Sequence, residues 1–572
     1  MAFPTVEIRP RRSLVFFALL SIAMVVASYM FVLLLAGACV YLPYLAMGDS
    51  DTVGFQTLAI FVFGIIIAGA MVWSLLPRPD HFKPPGLLLD RVAQPRLFKE
   101  IESIAAALNE PMPSEVYLFG EVNAFVADRG GFLGFGSRRV MGIGLPLLSI
   151  LTVSQFRAVL AHEFAHYYGG DTSLGPWVYK TQSAIVRIFQ NIGSIGKLAR
   201  IAVLGLMYMV VATMMKWYFQ LFLRAINLAS RQREYRADEL ACIIAGRQPL
   251  VDGLRAIHGA AMAWPTYWKT ELIPVLNSGA VPGISEGFAR FVAVPRISGQ
   301  IQKGITKQIA DAKQNPYDSH PPLRHRIDAV KKIPHHLLSR TLAQTDSQPA
   351  RTLLEQPGSV ELRFLEGANP NLKPGSLQSI SWEEVGTRVA IPHWQKFAAE
   401  YSSFLEGVTA GSVPDQVPKF SKVGDSMRNP PGVILDAQQR TQRGGHLFAV
   451  GLSLALIDRG WRLVTEPGVF RLRRESSELD PFQSIDELGA GKLSADEWIA
   501  RCRTLGIADV ALRPASTLTS ATVQPSAPSP QPAPAKPPVS QPPTDLSQQP
   551  PKKQQPTLPQ QLGLPGTKTE FS

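Results

Sequence analysis

Two long apolar runs without a charged side chain lie near the start of the chain, at residues 14–47 and 53–76. Each exceeds the roughly 20 residues that an α-helix needs to cross the hydrocarbon core of a bilayer. The first run is too long for the apolar part of a signal peptide, and the second follows it at once. The pattern therefore predicts a transmembrane hairpin over residues 1–80 that anchors the protein and is not cleaved.

Charged residues around this hairpin predict its orientation. Because basic residues favour the cytoplasmic side of a membrane, a hairpin with basic flanks and an acidic connection has both ends in the cytoplasm. The flanks carry Arg9, Arg11, Arg12, Arg78 and Lys83, and the connection carries Asp49 and Asp51. The same bias accounts for the net charge of +12. The basic residues are scattered and no nucleic-acid motif occurs, so we expect a lipid bilayer and no nucleic acid as partner.

After the hairpin the hydrophobic spacing becomes that of a soluble α+β domain. Apolar positions recur every three or four residues over 94–108, which predicts a helix. Residues 116–119 and 140–144 have the composition of short strands. A capping box of Thr152 and Gln155 predicts the start of a second helix.

This second helix, predicted to run on to Gly169, contains the sequence HEFAH, which has the spacing of a metal site. Two histidines four residues apart project from one helix face, so both imidazoles can reach one cation. The glutamate after the first histidine lies near the metal's water without binding the metal. His162 and His166 are therefore candidate ligands, and Glu163 is the candidate general base.

A catalytic zinc ion needs a third protein ligand and keeps its fourth position for water. The cysteines, Cys39, Cys242 and Cys502, lie far apart without a CxxC pair, so that ligand is a histidine or a carboxylate. Glu234 and Asp238 lie four apart on a predicted helix and can offer one ligand and one hydrogen-bond acceptor for a ligand histidine. Spacing alone leaves open whether the pair belongs to the site or to a solvated, charge-paired helix face.

The C-terminal half shows no catalytic constellation. Residues 355–513 have the pattern of a small α+β accessory domain, with an apolar helix at 449–461 and a hairpin at 461–474. Residues 514–572 are rich in Pro, Gln and Ser and have little to bury, which predicts a disordered tail.

Together these motifs resemble the HtpX family of membrane-bound zinc peptidases, a gluzincin family that also includes the CAAX prenyl proteases. The resemblance extends from the hairpin to about residue 330 and rests on four segments in the family's order. They are VNAF at 122–125, HEFAHYYGGD at 162–171, SRQREYRADELA at 230–241 and SHPPLRHRI at 319–327. The resemblance implies a mainly α membrane protein with a zincin-type α+β catalytic domain over residues 81–345, built on a small sheet with an edge strand and on the HExxH helix.

The resemblance also implies a role for each residue of the site. One zinc ion per chain has three protein ligands, which are His162, His166 and Glu234. Two further carboxylates support these ligands, namely Asp171 and Asp238. Asn123 flanks the substrate cleft, and His320 lies near the carbonyl of the scissile bond, where it can act as a second donor to the oxyanion.

Two further apolar stretches, 175–192 and 201–226, separate the histidines from the predicted third ligand. If all three ligands share one metal, the chain between them crosses the bilayer an even number of times. Two crossings would place Lys180 and Arg187 in hydrocarbon and oppose the positive-inside bias. We therefore expect no full crossing, but a helical hairpin at about 175–228 that packs on the catalytic domain and dips into the near leaflet.

The sequence thus predicts a membrane-anchored zinc endopeptidase. Residues 138–148 are a candidate edge strand onto which an extended peptide docks by main-chain hydrogen bonds, a mode that favours unfolded segments and loops. Next to a membrane hairpin, such a site suits quality-control cleavage of membrane or membrane-proximal proteins on the cytoplasmic side of a bacterial inner membrane. The alternative is a membrane-tethered scaffold with a structural or vestigial zinc site. The presence of Glu163, which a purely structural site does not need, favours the enzyme.

Overall fold

The computed structural model shows a mainly helical protein with three small sheets among its described residues, as the sequence predicts. All of the described residues belong to one unit, Met1–Pro514. They are residues 12–48, 54–76, 78, 82–131, 136–167, 175–195, 202–334, 346–369, 372–373, 375–428 and 435–512. The predicted disordered tail, 514–572, lies outside the described residues.

Helices α1 (Arg12–Gly48) and α2 (Phe55–Leu75) form the predicted N-terminal hairpin. Both are long and apolar enough to cross a membrane. The two helices approach most closely at Gly64, where an added Cβ atom would clash with the carbonyl oxygen of Cys39. A glycine at this position therefore lets the two backbones pack against each other, as small residues do between membrane helices.

A Gly64→Ala substitution is expected to destabilise the hairpin by about 1–3 kcal/mol, because the new methyl group forces α1 and α2 apart. Thermal unfolding of the purified protein in detergent measures this effect as a lower unfolding temperature. Gly69→Ala is the matched control on the same helix, since nothing lies within 4 Å of a Cβ atom there. Equal unfolding temperatures for the two variants would contradict the close approach at Gly64.

Helices α6 (Gly175–Ile195) and α7 (Ala202–Ala245) pack against this hairpin. Tyr218 of α7 stacks on Phe31 of α1 with ring centroids 4.2 Å apart, and its hydroxyl lies 2.9 Å from the hydroxyl of Ser28. These helices pack mainly on the N-terminal hairpin, and the predicted contact with the catalytic domain is seen at the end of the stretch, where Arg224 lies over the Tyr317 ring. The apolar faces of these helices are covered by α1 and α2, which form a four-helix bundle with them.

Polar side chains of α6 bind the C-terminal end of α2. The Arg187 guanidinium donates to the carbonyl oxygen of Ser74 (2.9 Å), and the side-chain amide of Asn191 donates to the Ser74 hydroxyl (2.8 Å). Unpaired carbonyls at the end of a helix attract cations, so this is a favourable place for the arginine. α7 contains a third span candidate, Leu204–Ala245, and the depth to which α6 and α7 enter a bilayer stays a prediction.

A four-stranded sheet begins the soluble part. Its strand order is β1 (Leu87–Leu88), β2 (Glu115–Phe119), β4 (Arg138–Gly144) and β3 (Ala124–Arg129). β2 and β4 run parallel, whereas β3 folds back antiparallel onto the full length of β4. The prediction that residues 138–148 supply the edge strand was therefore wrong. β4 lies inside the sheet, and β3 and the two-residue β1 are its edge strands.

The predicted soluble helices are present. α3 (Pro95–Ala107) occupies the first predicted segment, and α5 (Val153–Ala165) begins with the capping box, in which both the Thr152 and the Gln155 side chains accept a main-chain hydrogen bond. The last helical residue of α5 is Ala165, so the helix ends before the predicted Gly169.

The other elements, from the sheet to the C-terminal region, are the following. The region before the C-terminal region also contains the short pair β5 (Ala280–Val281) and β6 (Gln378–Ser379) and helices α4 (Leu145–Ile150), α8 (Arg247–Tyr267), α9 (Ile273–Asn277), α10 (Ile284–Ala293), α11 (Pro295–Ala310), α12 (Leu323–Lys331), α13 (Pro357–Ala368) and α14 (Trp382–Val385). The C-terminal region contains α15 (Ile391–Glu400), α16 (Phe420–Ser426), α17 (Ala437–Ile457), β7 (Arg462–Glu466), β8 (Val469–Arg474), β9 (Ser477–Leu479), α18 (Pro481–Gly489) and α19 (Ala495–Thr504).

Buried apolar side chains fall into three clusters in the described residues. One joins α1, α2, α6 and the first half of α7, the second extends from Leu89 to Val385, and the third from Trp394 to Leu512. α13 and Trp382 therefore pack with the part of the chain that contains the HEFAH helix. The domain limits that the sequence analysis places near 345 and 355 stay a prediction.

Candidate active site

Three of the predicted site residues meet where α5 packs against α7. The ligand atoms of His162, His166 and Glu234 all lie within 4.8 Å of one another. Nε2 of His162 is 3.5 Å from one carboxylate oxygen of Glu234, and Nε2 of His166 is 3.5 Å from the other. His166 directly follows the last residue of α5 and keeps helical dihedral angles, so the early end of the helix does not separate the two rings.

This donor set fits a zinc ion. A tetrahedral zinc ion with nitrogen and oxygen ligands at its usual bond lengths holds them about 3.4 Å apart, close to the 3.5 Å between each histidine nitrogen and its Glu234 oxygen. The Oε2 atom of Glu234 is buried and accepts no well-directed hydrogen bond among the described residues, although nitrogens of His320, His162 and Arg326 lie 3.0 to 3.6 Å from it. A buried polar atom without such a hydrogen bond is costly unless something else binds it, and a cation between the three side chains would do so.

Asp238 orients the ring of His162. Its Oδ1 atom is 3.1 Å from Nδ1 of His162, whereas Nε2 is the nitrogen that lies near Glu234. A metal-binding histidine commonly donates its second ring N–H to a carboxylate, which fixes the tautomer and the direction of the ring. Asp238 therefore leaves the Nε2 lone pair of His162 free to bind a metal.

Arg326 on α12 in turn holds Asp238. Its Nε and Nη2 atoms donate to the two oxygens of Asp238 at 2.9 and 2.7 Å, and its Nη1 atom lies 3.6 Å from Glu234 Oε2. Arg326 and Asp238 are both buried, and a two-pronged ion pair of this kind is among the strong hydrogen-bonded contacts in proteins. The sequence analysis did not identify Arg326, although it lies in the SHPPLRHRI segment, because nothing in the spacing pairs it with Asp238, which lies 88 residues away.

The electrostatics of His162 and His166 favour one positive charge on these two rings, next to the carboxylates of Glu234 and Asp238. Burial and the charge of Arg326 lower the pKa of His162, but hydrogen bonds to Asp238 and Glu234 outweigh them and raise this pKa to about 10. Burial and the neighbouring His162 lower the pKa of His166 to about 3. Two imidazoles that compete for a single charge beside carboxylates suit one divalent cation, which both rings can bind in their neutral form.

Glu163 is half-buried next to this group. Burial raises its pKa to about 7, although the charges of His162 and Arg326 oppose the rise. A carboxylate with a pKa near neutrality is an effective proton acceptor and proton donor at neutral pH. Both the position of Glu163 in the HEFAH sequence and its environment therefore suit a general base.

His320 lies in the irregular segment between α11 and α12. Its Nδ1 atom is 3.0 Å from Oε2 of Glu234, and its side chain is 67% exposed. The structure therefore places His320 at the solvent side of the group. An exposed ring in this position can contact a bound peptide directly.

The remaining predicted residues have different positions. Asn123 is exposed immediately before β3, and its side-chain oxygen accepts a hydrogen bond from the backbone N–H of Ala124 (2.9 Å). Within the part of the chain that the structure describes, Asn123 makes no hydrogen bond to the histidines or to Glu234. Asp171 lies outside the described residues.

Comparisons with known proteins find similar sequences for the part of the chain that contains this group. The sequence profile described as peptidase family M48 matches residues 92–334, which include all of the side chains discussed above. "Protease HtpX" of Psychrobacter sp. (strain PRwf-1) is 28% identical over 286 residues, which cover 47% of this chain and 82% of that protein. "Protease HtpX" of Stenotrophomonas maltophilia (strain K279a) is 25% identical over 329 residues, which cover 54% and 97%. No solved structure matches the chain.

The likeness to these two relatives covers about half of the chain and most of each relative. The apolar helices make this an integral membrane protein, and the residues matched by the family contain a histidine and carboxylate group suited to a metal ion. Residues 92–334 therefore match peptidase family M48, and the chain is HtpX-like over about half of its length.

Proposed function

We propose that the protein is an endopeptidase that binds one zinc ion per chain through His162, His166 and Glu234. The observation that carries this proposal is the convergence of their three ligand atoms within 4.8 Å, with one carboxylate oxygen left without a well-directed hydrogen bond. A zinc ion in such a site polarises a peptide carbonyl and makes water more acidic. The side chains around the site perform the remaining steps.

In this mechanism Glu163 accepts a proton from the attacking water and gives it to the leaving amine. His320, exposed beside Glu234, donates a hydrogen bond to the oxygen that becomes negative as the carbonyl is attacked. Asp238 and Arg326 keep His162 in the tautomer and direction that binding requires.

We propose β3 as the strand that binds the substrate. The carbonyl of Asn123 accepts a hydrogen bond from Gly144 of β4, so by alternation the main-chain groups of residues 124, 126 and 128 face the open side of the sheet. The hydroxyl of Tyr167, directly after His166, donates to the Val126 carbonyl (3.0 Å) and ties this edge to the end of the HEFAH helix. An extended peptide that pairs with β3 would pass Asn123 and reach the metal site.

The position of the site favours substrates in or near the bilayer. α7 is one continuous helix that contacts α1 in its first half and carries Glu234 in its second half. We propose that the protein cleaves membrane or membrane-proximal proteins on the cytoplasmic side of a bacterial inner membrane, in protein quality control. The basic flanks of the N-terminal hairpin support this orientation.

Zinc content tests the metal assignment. The wild-type protein is expected to contain one zinc ion per chain by elemental analysis, and Glu234→Ala is expected to lose most of it, because two histidines alone bind zinc weakly. Glu239→Ala is the matched control on the same helix, since the Glu239 carboxylate pairs with Arg236 instead. Equal zinc content in the two variants would remove Glu234 from the ligand set.

Proteolysis distinguishes the enzyme from a scaffold with a structural or vestigial site. An endopeptidase is expected to cleave itself or an added unfolded protein in detergent once zinc is supplied. A protein that keeps its zinc but produces no fragments under these conditions would support the scaffold instead.

A further inference from the structure

One face of α7 carries both the proposed ligand Glu234 and the side chains that bind the segment around His320. Asn227, Arg231, Glu234 and Asp238 follow one another at intervals of three or four residues, so they form a single stripe along the helix. All four side chains are buried, although three of them are charged. Such a stripe needs partners, and residues 316–326 supply them.

The N-terminal part of the stripe, Asn227 and Arg231, binds main-chain atoms shortly before His320. The amide of Asn227 donates to the carbonyl oxygen of Tyr317 at 2.6 Å. The guanidinium of Arg231 donates to the carbonyl of Asp318 at 2.9 Å and reaches the carbonyl of Pro316 at 3.4 Å. Three successive carbonyls are thus fixed by two side chains, whatever side chains the loop itself carries.

The C-terminal part of the stripe, Asp238, binds the same segment after His320. There Arg326, at the start of α12, forms its two-pronged ion pair with Asp238. His320 lies between these two attachments along the segment, and Glu234 lies between them along the helix. The segment therefore runs alongside α7 in a fixed register, which sets His320 Nδ1 3.0 Å from Glu234 Oε2.

The attachment before His320 matters because the segment around this residue has no regular secondary structure of its own. Its side chain is 67% exposed, and the segment from 311 to 322 contains no helix or strand. A mobile hydrogen-bond donor contributes little to a reaction, because it must lose its conformational freedom each time the transition state forms. This loss of entropy raises the activation free energy.

We propose that Asn227 and Arg231 are positioning residues that hold His320 at the reacting carbonyl through the main chain of residues 316–318. The proposal rests on the function proposed above, in which His320 stabilises the oxyanion. It assigns to α7 a second task besides supplying a metal ligand. Through these hydrogen bonds the helix also fixes the position of a catalytic side chain, His320, that is distant in sequence.

An Asn227→Leu variant tests this proposal, because leucine has a similar volume and removes only the donor. We expect kcat for an unfolded protein substrate to fall about five- to tenfold, the range for the loss of one hydrogen bond to a positioned group, while KM changes little. Zinc content is expected to stay at that of the wild type. Arg231→Lys, which keeps the charge and one donor, is expected to lower kcat less. Gln232→Leu, on the same helix but not bonded to this segment, is the control for folding and insertion.

A double-mutant cycle with His320→Ala separates positioning from general stability. If Asn227 acts through His320, the Asn227→Leu change has no further effect on kcat once His320 is removed. Multiplied effects of the two substitutions, or an Asn227→Leu variant with wild-type kcat, would overturn the proposal. An unaltered kcat in His320→Ala alone would instead show that the proposed role of His320 is wrong.

Discussion

A Glu163→Gln substitution is expected to lower proteolytic activity between about 10² and 10⁴-fold while zinc binding is retained, because it removes the proton acceptor and leaves the ligands intact. Glutamine has nearly the same shape as glutamate, and Glu163 is not among the three side chains whose ligand atoms converge. The rate of fragment formation from an unfolded protein, measured in detergent at saturating zinc, gives the size of the effect.

Glu102→Gln is the matched control for this experiment. Glu102 is exposed on α3, where it pairs with Arg91, and its substitution is expected to leave the rate unchanged. A Glu163→Gln variant that binds zinc and cleaves as fast as this control would contradict the role of Glu163. A variant that has lost its zinc would mean that Glu163 helps to hold the metal.

Local sequence patterns predicted the elements of the site well. The capping box at Thr152 marks the start of α5, and the interval of four between His162 and His166 gives two rings on one face of it. The same interval relates Glu234 to Asp238 on α7. These features depend on chain segments shorter than 20 residues, where the geometry of a helix fixes which side chains are neighbours.

Contacts between distant segments could not be predicted in this way. The bond of Arg326 to Asp238 depends on how α12 packs on α7, and the position of β3 at the sheet edge depends on the hairpin that returns it to β4. The packing of the helices at 175–228 on α1 and α2 was missed for a related reason. Arg187 looked too costly for a membrane bundle, whereas the structure pairs it with the end of α2 at Ser74.

An Arg326→Met substitution is expected to destabilise the metal-free protein by about 3–5 kcal/mol, the penalty for removing one partner of a buried ion pair. Asp238 would then stay buried with His162 as its remaining charged neighbour. The orientation of the Asp238 carboxylate would change. Zinc affinity is therefore expected to fall about 10–100-fold, as when the group that orients a ligand histidine is disturbed. Thermal unfolding in detergent without metal measures the first effect, and competition with a chelator measures the second.

The double variant Arg326→Met with Asp238→Leu distinguishes packing from ligand orientation. Replacement of both partners by apolar side chains removes the unpaired charge, so most of the lost stability is expected to return. Zinc affinity is expected to stay low, because His162 Nδ1 has no carboxylate to which it can donate. If the double variant recovered zinc affinity together with stability, Asp238 and Arg326 would be only packing partners. The direction of the His162 ring would then be set by the neighbouring helices alone.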